Sequence, residues 1–231
     1  MTSTIFYRMN QKHIDDMSSD TSIVRDFAES LAKEAPIVDA QIGENEDYGE
    51  GLGPHDEDDQ IDALVQQAKE SGRLNYDVST VKKSTRAVQY PGGREADVVI
   101  HDDDETVYFE AKLFRFQKGN SSPSKRGFAK VFSPFQDRAG QSFIHDVNKI
   151  AESDVRATRA LLGIYYRPVD GAGTGVTSKQ MAEKFASEVD YWTDYSITVD
   201  TVATFSGLQH PVHSRGGILT WQLDVQPETF F

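Results

Sequence analysis

The chain has 231 residues, a formal net charge of −13, 38% hydrophobic residues and no cysteine. That is enough apolar material for one globular core with an appendage, and it excludes disulfides and thiolate metal sites. Apolar runs are too short for a membrane span and the N-terminus lacks a charged-then-apolar leader, so the sequence predicts a cytoplasmic protein.

Residues 5–9 read as a short strand or an extended arm. A helix over 22–35, capped by Ser22 or Thr21, carries Ile23, Val24, Phe27, Ala28 and Leu31 at helical spacing and is expected to stop at Pro36. Residues 39–59 are rich in acid and glycine and read as a flexible loop or disordered segment. A second helix over 59–71 places Ile61, Leu64, Val65 and Ala68 on one face and ends at Gly72. A basic extended stretch over 75–88 and the turn Pro91-Gly92-Gly93 lead into two strands, 96–100 and 106–114. Between these strands His101-Asp102-Asp103-Asp104-Glu105 is too charged to be anything but a turn. Beyond them come a loop at 119–124, a helix over 141–154 with Phe143, Ile144, Val147 and Ile150 on its apolar face, and a buried strand over 157–166. A glycine loop at 171–175, a helix over 178–191 and strands over 197–205 and 218–225 complete the chain. The glycine loop is not a P-loop, because no Gly-Lys-Ser/Thr opens the next helix.

The strand pair carries the chemistry. Asp97 lies in the first strand and Glu110-Ala111-Lys112 in the second. Side chains alternate along a strand, so Glu110 and Lys112 share one face, and a hairpin can set Asp97 beside them. Charges inside so apolar a stretch are costly unless paired or metal-bound. A solvent-facing edge hairpin with a structural Glu110–Lys112 ion pair remains the competing reading.

Charge is unevenly spread. Residues 1–70 carry 17 acids against 5 bases, whereas 113–138 hold Arg115, Lys118, Lys125, Arg126, Lys130 and Arg138 against Asp137 alone. Residues 73–94 are basic as well, with Arg73, Lys82, Lys83, Arg86 and Arg94. Both basic stretches flank the carboxylate hairpin and would attract a polyanion there, although they could equally neutralise the acidic N-terminal part of the same molecule. The overall acid excess argues against indiscriminate nucleic-acid binding, and suits a halophilic host or an ordinary acidic protein.

The order helix, extended strand, Asp-strand, Glu-x-Lys strand, helix, strand over residues 57–168 resembles the core of the PD-(D/E)xK, or restriction-endonuclease-like, nuclease superfamily. Arg94-Glu95-Ala96-Asp97-Val98-Val99-Ile100 resembles its first element and Phe109-Glu110-Ala111-Lys112 its second, with residues 143–150 and 160–166 as the following helix and strand. Ala96 stands where the superfamily's name has Pro. The resemblance implies an α+β fold, a central mixed sheet flanked by helices. It divides the chain into an acidic N-terminal helical segment with a flexible loop (1–56), a nuclease-like core (57–170) and a C-terminal helix and strands completing the same domain (171–231).

It also implies a Mg²⁺- or Mn²⁺-dependent DNA nuclease. Phosphodiester hydrolysis needs a nucleophilic water, neutralisation of transition-state charge and help for the leaving oxygen. Mg²⁺ takes hard oxygen ligands and one or two carboxylates suffice, so Asp97, Glu110 and the Ala111 carbonyl would hold it. Lys112 would orient or help deprotonate the water, or stabilise developing charge. Glu57, with Glu29 behind it, is the candidate for a further acid from the preceding helix. Gln141 and Asp146 could reach the cleft from the following one.

Lys118, Lys125 and Arg126, in a loop beside the site, are candidate phosphate contacts. The six histidines show no metal-ligand spacing, and Trp192 with Tyr191 and Tyr195 reads as a core edge rather than a base-stacking platform. The expected partner is DNA, a homodimer is a form the sequence allows, and no membrane is expected. The competing readings are a catalytically inactive protein of the same fold that binds nucleic acid or serves assembly, and an unrelated acidic α+β protein.

Overall fold

A computed structural model describes residues 22–45, 49–81, 95–103, 105–135, 142–167 and 175–224. The two β-branched and aromatic runs pair as expected. β4 (Val98–His101) and β5 (Thr106–Arg115) form an antiparallel hairpin with Val98 opposite Phe109 and His101 opposite Thr106. β3 (Asp77–Thr80) lies antiparallel on the outer side of β4, and β6 (Thr158–Tyr166) runs parallel to β5, with Glu110 opposite Leu161. β7 (Ser196–Ser206) and β8 (Arg215–Asp224) extend the same mixed sheet in the order β3-β4-β5-β6-β8-β7. β4 covers only the first part of β5, so among the described residues the β4-side edge of β5 beyond Phe109 has no strand neighbour.

Alternation along β5 divides the core. Val107, Phe109 and Ala111 face α1 (Ile23–Gln41) and α2 (Glu57–Glu70), where Phe27 meets Phe109 at 5.3 Å between ring centres. Phe114 faces the opposite layer, made of α3 (Lys125–Phe132), α4 (Phe143–Ala151) and α5 (Ser178–Trp192). There Phe143, Phe185 and Trp221 pack at 4.7–6.0 Å and the Trp221 indole donates to the Ala182 carbonyl at 3.0 Å. Each such ring contributes roughly 1.5–3 kcal/mol by burial alone. The protein is thus an α+β fold, a mixed sheet between two helical layers. Among the described residues no helix is long and apolar enough to cross a membrane.

Three expectations are corrected. α1 does not stop at Pro36 but runs on to Gln41, because Ala35 and Val38 continue its buried face while Pro36 lies on the exposed side. The segment expected to be flexible is ordered where it is described. Residues 44–45 and 49–50 pair as β1 and β2, and Leu52 is fully buried, its N–H donating 2.7 Å to Asp39 Oδ1. Gly51 makes this turn possible at φ +82°, since a Cβ there would sit 2.4 Å from the same Asp39 oxygen. Thirdly, Lys125 and Arg126 lie not in a loop but in the first turn of α3, capped by Ser124, whose hydroxyl accepts from Gly127 N at 3.0 Å. Gly127 packs so tightly on β5 that a Cβ would fall 2.1 Å from the Arg115 carbonyl oxygen. The expected strand at 5–9, the turn at 91–93, most of the glycine loop and Gln141 lie outside the described residues.

Candidate active site

The site is built where β4 stops and β5 continues. Asp97, just before β4, forms the last rung, its N–H donating to the Phe109 carbonyl at 3.0 Å. Its side chain then acts in place of a strand partner, with Oδ2 accepting the Ala111 N–H at 2.7 Å. Two residues further, the Leu113 N–H donates to Glu57 Oε2 at 2.6 Å. Two carboxylates from distant segments therefore satisfy successive donors on one strand edge, as the accounting of buried backbone groups demands. The Ala111 carbonyl lies on that same edge, since both backbone groups of a strand residue point to one side. Glu57 is the first residue of α2, and the loop before it is tied to β5 by the Arg115 guanidinium, which donates to the Gly53 and His55 carbonyls.

Glu110 and Lys112 project together from β5 toward α4, which contributes Asp146 and Lys149 from one turn apart. Lys112 Nζ lies 2.9 Å from Asp146 Oδ2 and 3.5 Å from Glu57 Oε1. Lys149 Nζ lies 2.7 Å from Glu110 Oε2, and the Glu110 side chain is 1% exposed.

Burial is the leading influence on Glu57 and Asp97. It pushes the Glu57 carboxyl up to about 7 against the opposing pull of Lys112 and the Leu113 N–H, with Asp97 and Asp146 adding to the rise. Asp97 is raised for the same reason, against the Ala111 N–H, Lys112 and Lys149. Burial alone would lower Lys112, but the Glu57, Asp146 and Asp97 carboxylates outweigh it and hold the group as an ammonium. An ammonium donates protons and positive charge, which favours the electrostatic over the proton-accepting role expected of Lys112.

Among the described residues the site holds four carboxyl groups and two ammonium groups in a largely buried space, a formal surplus of two negative charges when every carboxyl is ionised. With Glu57 and Asp97 raised by burial, a divalent cation would favour their ionised forms, and an all-oxygen donor set suits Mg²⁺ or Mn²⁺. Among the described residues no three of His, Cys, Asp and Glu are already disposed around one point as metal ligands. Magnesium does not require such a cage, because it keeps several waters and takes one or two carboxylates.

Of the residues singled out in the sequence, Glu57, Asp97, Glu110, Lys112 and Asp146 come together. Glu29 does not, since it pairs along α1 with Lys33 at 3.7 Å. Lys118, Lys125 and Arg126 are exposed on the turn after β5 and on α3. Arg73 bonds Glu34 at 2.5 Å and Arg115 holds the α2 loop, so part of the basic charge serves the fold itself. Lys149 escaped sequence reasoning. Its only local signal is a base one turn after Asp146 on an amphipathic helix. Tyr191 and Trp192 are not a core edge, being 75% and 43% exposed. His210 and His213 stack at 4.5 Å, buried in the bend between β7 and β8. Compared with known proteins, the chain matches no family model, no curated sequence and no solved structure.

Proposed function

We propose that the protein is a Mg²⁺-dependent nuclease hydrolysing DNA phosphodiester bonds, with the restriction-endonuclease-like core that its motif resembles. The observation that carries this reading is the splayed hairpin, in which Asp97 and Glu57 accept the Ala111 and Leu113 N–H groups beside the Lys112 ammonium. Asp97, Glu110 and the Ala111 carbonyl would hold the metal, with Glu57 as a further acid and Asp146 adjoining it. The ion would supply charge neutralisation at the scissile phosphate and a more acidic water. Lys112 holds a fixed positive charge where negative charge develops on the phosphoryl oxygens. Asp146 and Glu57 keep that ammonium positioned, and Lys149 keeps the Glu110 carboxylate in place. Exposed Lys118, Lys125 and Arg126 add phosphate contacts that anchor the strand without reading its sequence. A cytoplasmic location and DNA as partner belong to the same proposal.

The test is incubation of purified protein with supercoiled and linear DNA in Mg²⁺ and in EDTA. Mg²⁺-dependent cleavage is expected, and no cleavage in Mg²⁺ or Mn²⁺ would overturn it. One observation favours a second reading, a catalytically inactive protein of this fold that binds nucleic acid or serves assembly. Glu110 and Lys112 are each already engaged by a counter-charge, as in a purely structural network. DNA binding that never leads to cleavage would select it.

A further inference from the structure

Among the described residues five large apolar side chains are exposed, and four of them are aromatic rings on one side of the molecule. Phe128 (41% exposed) stacks on Phe116 at 4.4 Å and adjoins Phe132, over which Lys184 of α5 lies at 5.5 Å. From Lys184 the α5 surface continues through Glu188 to Trp192, whose ring meets Tyr191 at 4.8 Å and Phe135 at 6.1 Å. Phe135 is 69% exposed. The rings thus form a strip joining the ends of α3 and α5.

Charge selects what the strip fits. α3 carries Lys125, Arg126 and Lys130, all exposed, and has no acid, in a chain whose net charge is −13. The cations therefore lie at the α3 end of the strip, and of the acids at its α5 end Glu188 is matched by a cation while Asp190 and the exposed Asp194 keep their charge. Glu188 accepts from Lys184 at 2.7 Å and from the Trp192 indole at 3.0 Å, and Asp190 accepts from the Ser196 hydroxyl at 3.1 Å. Exposed flat rings beside a cationic helix match the bases and phosphates of an unpaired strand, because every base offers a face to stack and its backbone a charge to neutralise. Duplex DNA hides its base faces and could use only the cations. The strip is tied to elements that carry the candidate site, since Gly127 of α3 packs on the Arg115 carbonyl of the strand that bears Lys112, and the Ser142 hydroxyl at the start of α4 donates to the Ser133 carbonyl at 2.6 Å.

We propose that Phe128, Phe135, Tyr191 and Trp192, with the α3 cations, bind unpaired nucleotides by ring stacking, so that the substrate is DNA with a single-stranded segment. This substrate assignment rests on the nuclease reading, whereas the binding surface stands on its own geometry.

The two tryptophans allow a direct test, because Trp192 is 43% exposed and Trp221 fully buried. The full chain in EDTA, where no metal-dependent cleavage occurs, is titrated with oligo-dT and with a blunt duplex of equal length. Tryptophan emission and the anisotropy of labelled DNA are both followed. Oligo-dT is expected to quench Trp192 and to bind at least about tenfold tighter than duplex, and Phe135→Ala and Tyr191→Ala each to weaken it roughly tenfold. Lys125→Ala with Lys130→Ala should flatten the salt dependence. Equal binding of the two DNAs, no quenching, or unchanged affinity in the Phe135 and Tyr191 variants would overturn the proposal. A dimer in sedimentation that Phe135→Ala dissociates would also overturn it, giving the strip to a second copy of the chain. Quenching without any Mg²⁺-dependent cleavage would leave the strip standing and remove the nuclease reading. Cleavage of duplex without quenching would do the reverse.

Discussion

Glu57 and Leu113 stand 56 positions apart, yet the Glu57 carboxylate accepts the Leu113 N–H at 2.6 Å on the strand edge that β4 leaves open. Two residues back, Asp97 does the same for Ala111. The acids are therefore placed by backbone demand as well as by the Lys112 ammonium between them. Glutamine at position 57 keeps an acceptor for the Leu113 N–H, whereas alanine leaves that donor without this partner. Glu57→Ala is expected to cost about 1–3 kcal/mol in urea unfolding and Glu57→Gln much less. Equal losses would mean that the hydrogen bond is not what matters.

The Glu110–Lys149 pair gives a second expectation. Lys149→Met removes the ammonium from a carboxylate that is 1% exposed. A loss of about 2–3 kcal/mol is expected, toward the low end for a buried pair because Lys149 itself is 31% exposed. Adding Glu110→Gln should restore most of it, and a double-mutant cycle measures the coupling. Additive losses would show that the pair does not act as one.

Stability should depend on pH in two opposed ways. Burial pushes the His213 imidazole down to about 3, against an unfolded value of 6.5. The unfolded state then binds more protons, so this contribution is complete above about pH 6.5 and is lost as pH falls toward 3. Glu57 is raised from 4.5 to about 7, so its contribution is complete below about pH 4.5 and is lost as pH rises through 7. Unfolding free energy measured across this range should rise less steeply with pH in His213→Gln, and should gain at pH 8 in Glu57→Gln. The opposite sign in either variant contradicts the corresponding assignment.

Divalent cations should relieve the Glu57 and Asp97 carboxylates, which burial leaves raised. Mg²⁺ is expected to raise the thermal midpoint of the wild type with saturation and to do so weakly in Asp97→Ala. An identical rise in both would place any bound cation elsewhere.

The hairpin with Asp97, Glu110 and Lys112 was legible because strand, turn and strand are adjacent in the chain and their side-chain alternation is fixed by the backbone. Glu57 and Asp146 were legible only as acids at the starts of helices, since their meeting at Lys112 depends on how α2 and α4 lie across the sheet. Lys149 gave no sign of its partner, 39 positions away. α3 was hidden because its eight residues include a glycine, and its helix is secured by packing Gly127 on β5 and Phe128 on Phe116 rather than by local propensity. The run of α1 past Pro36 was hidden for a related reason, in that burial of Ala35 and Val38 outweighs one missing backbone bond. The exposed rings of Tyr191 and Trp192 look the same in sequence as a core edge, and only their place at the very end of α5, beyond its last buried position Val189, leaves them outward.

The most direct test of the catalytic claim is the DNA cleavage rate in Mg²⁺ for the wild type, Asp97→Ala and Lys112→Ala, with folding of each confirmed by its unfolding transition. Metal-dependent cleavage by the wild type, lowered at least about a hundredfold in both variants, is predicted. Cleavage at the wild-type rate by both folded variants would contradict the assignment of the site.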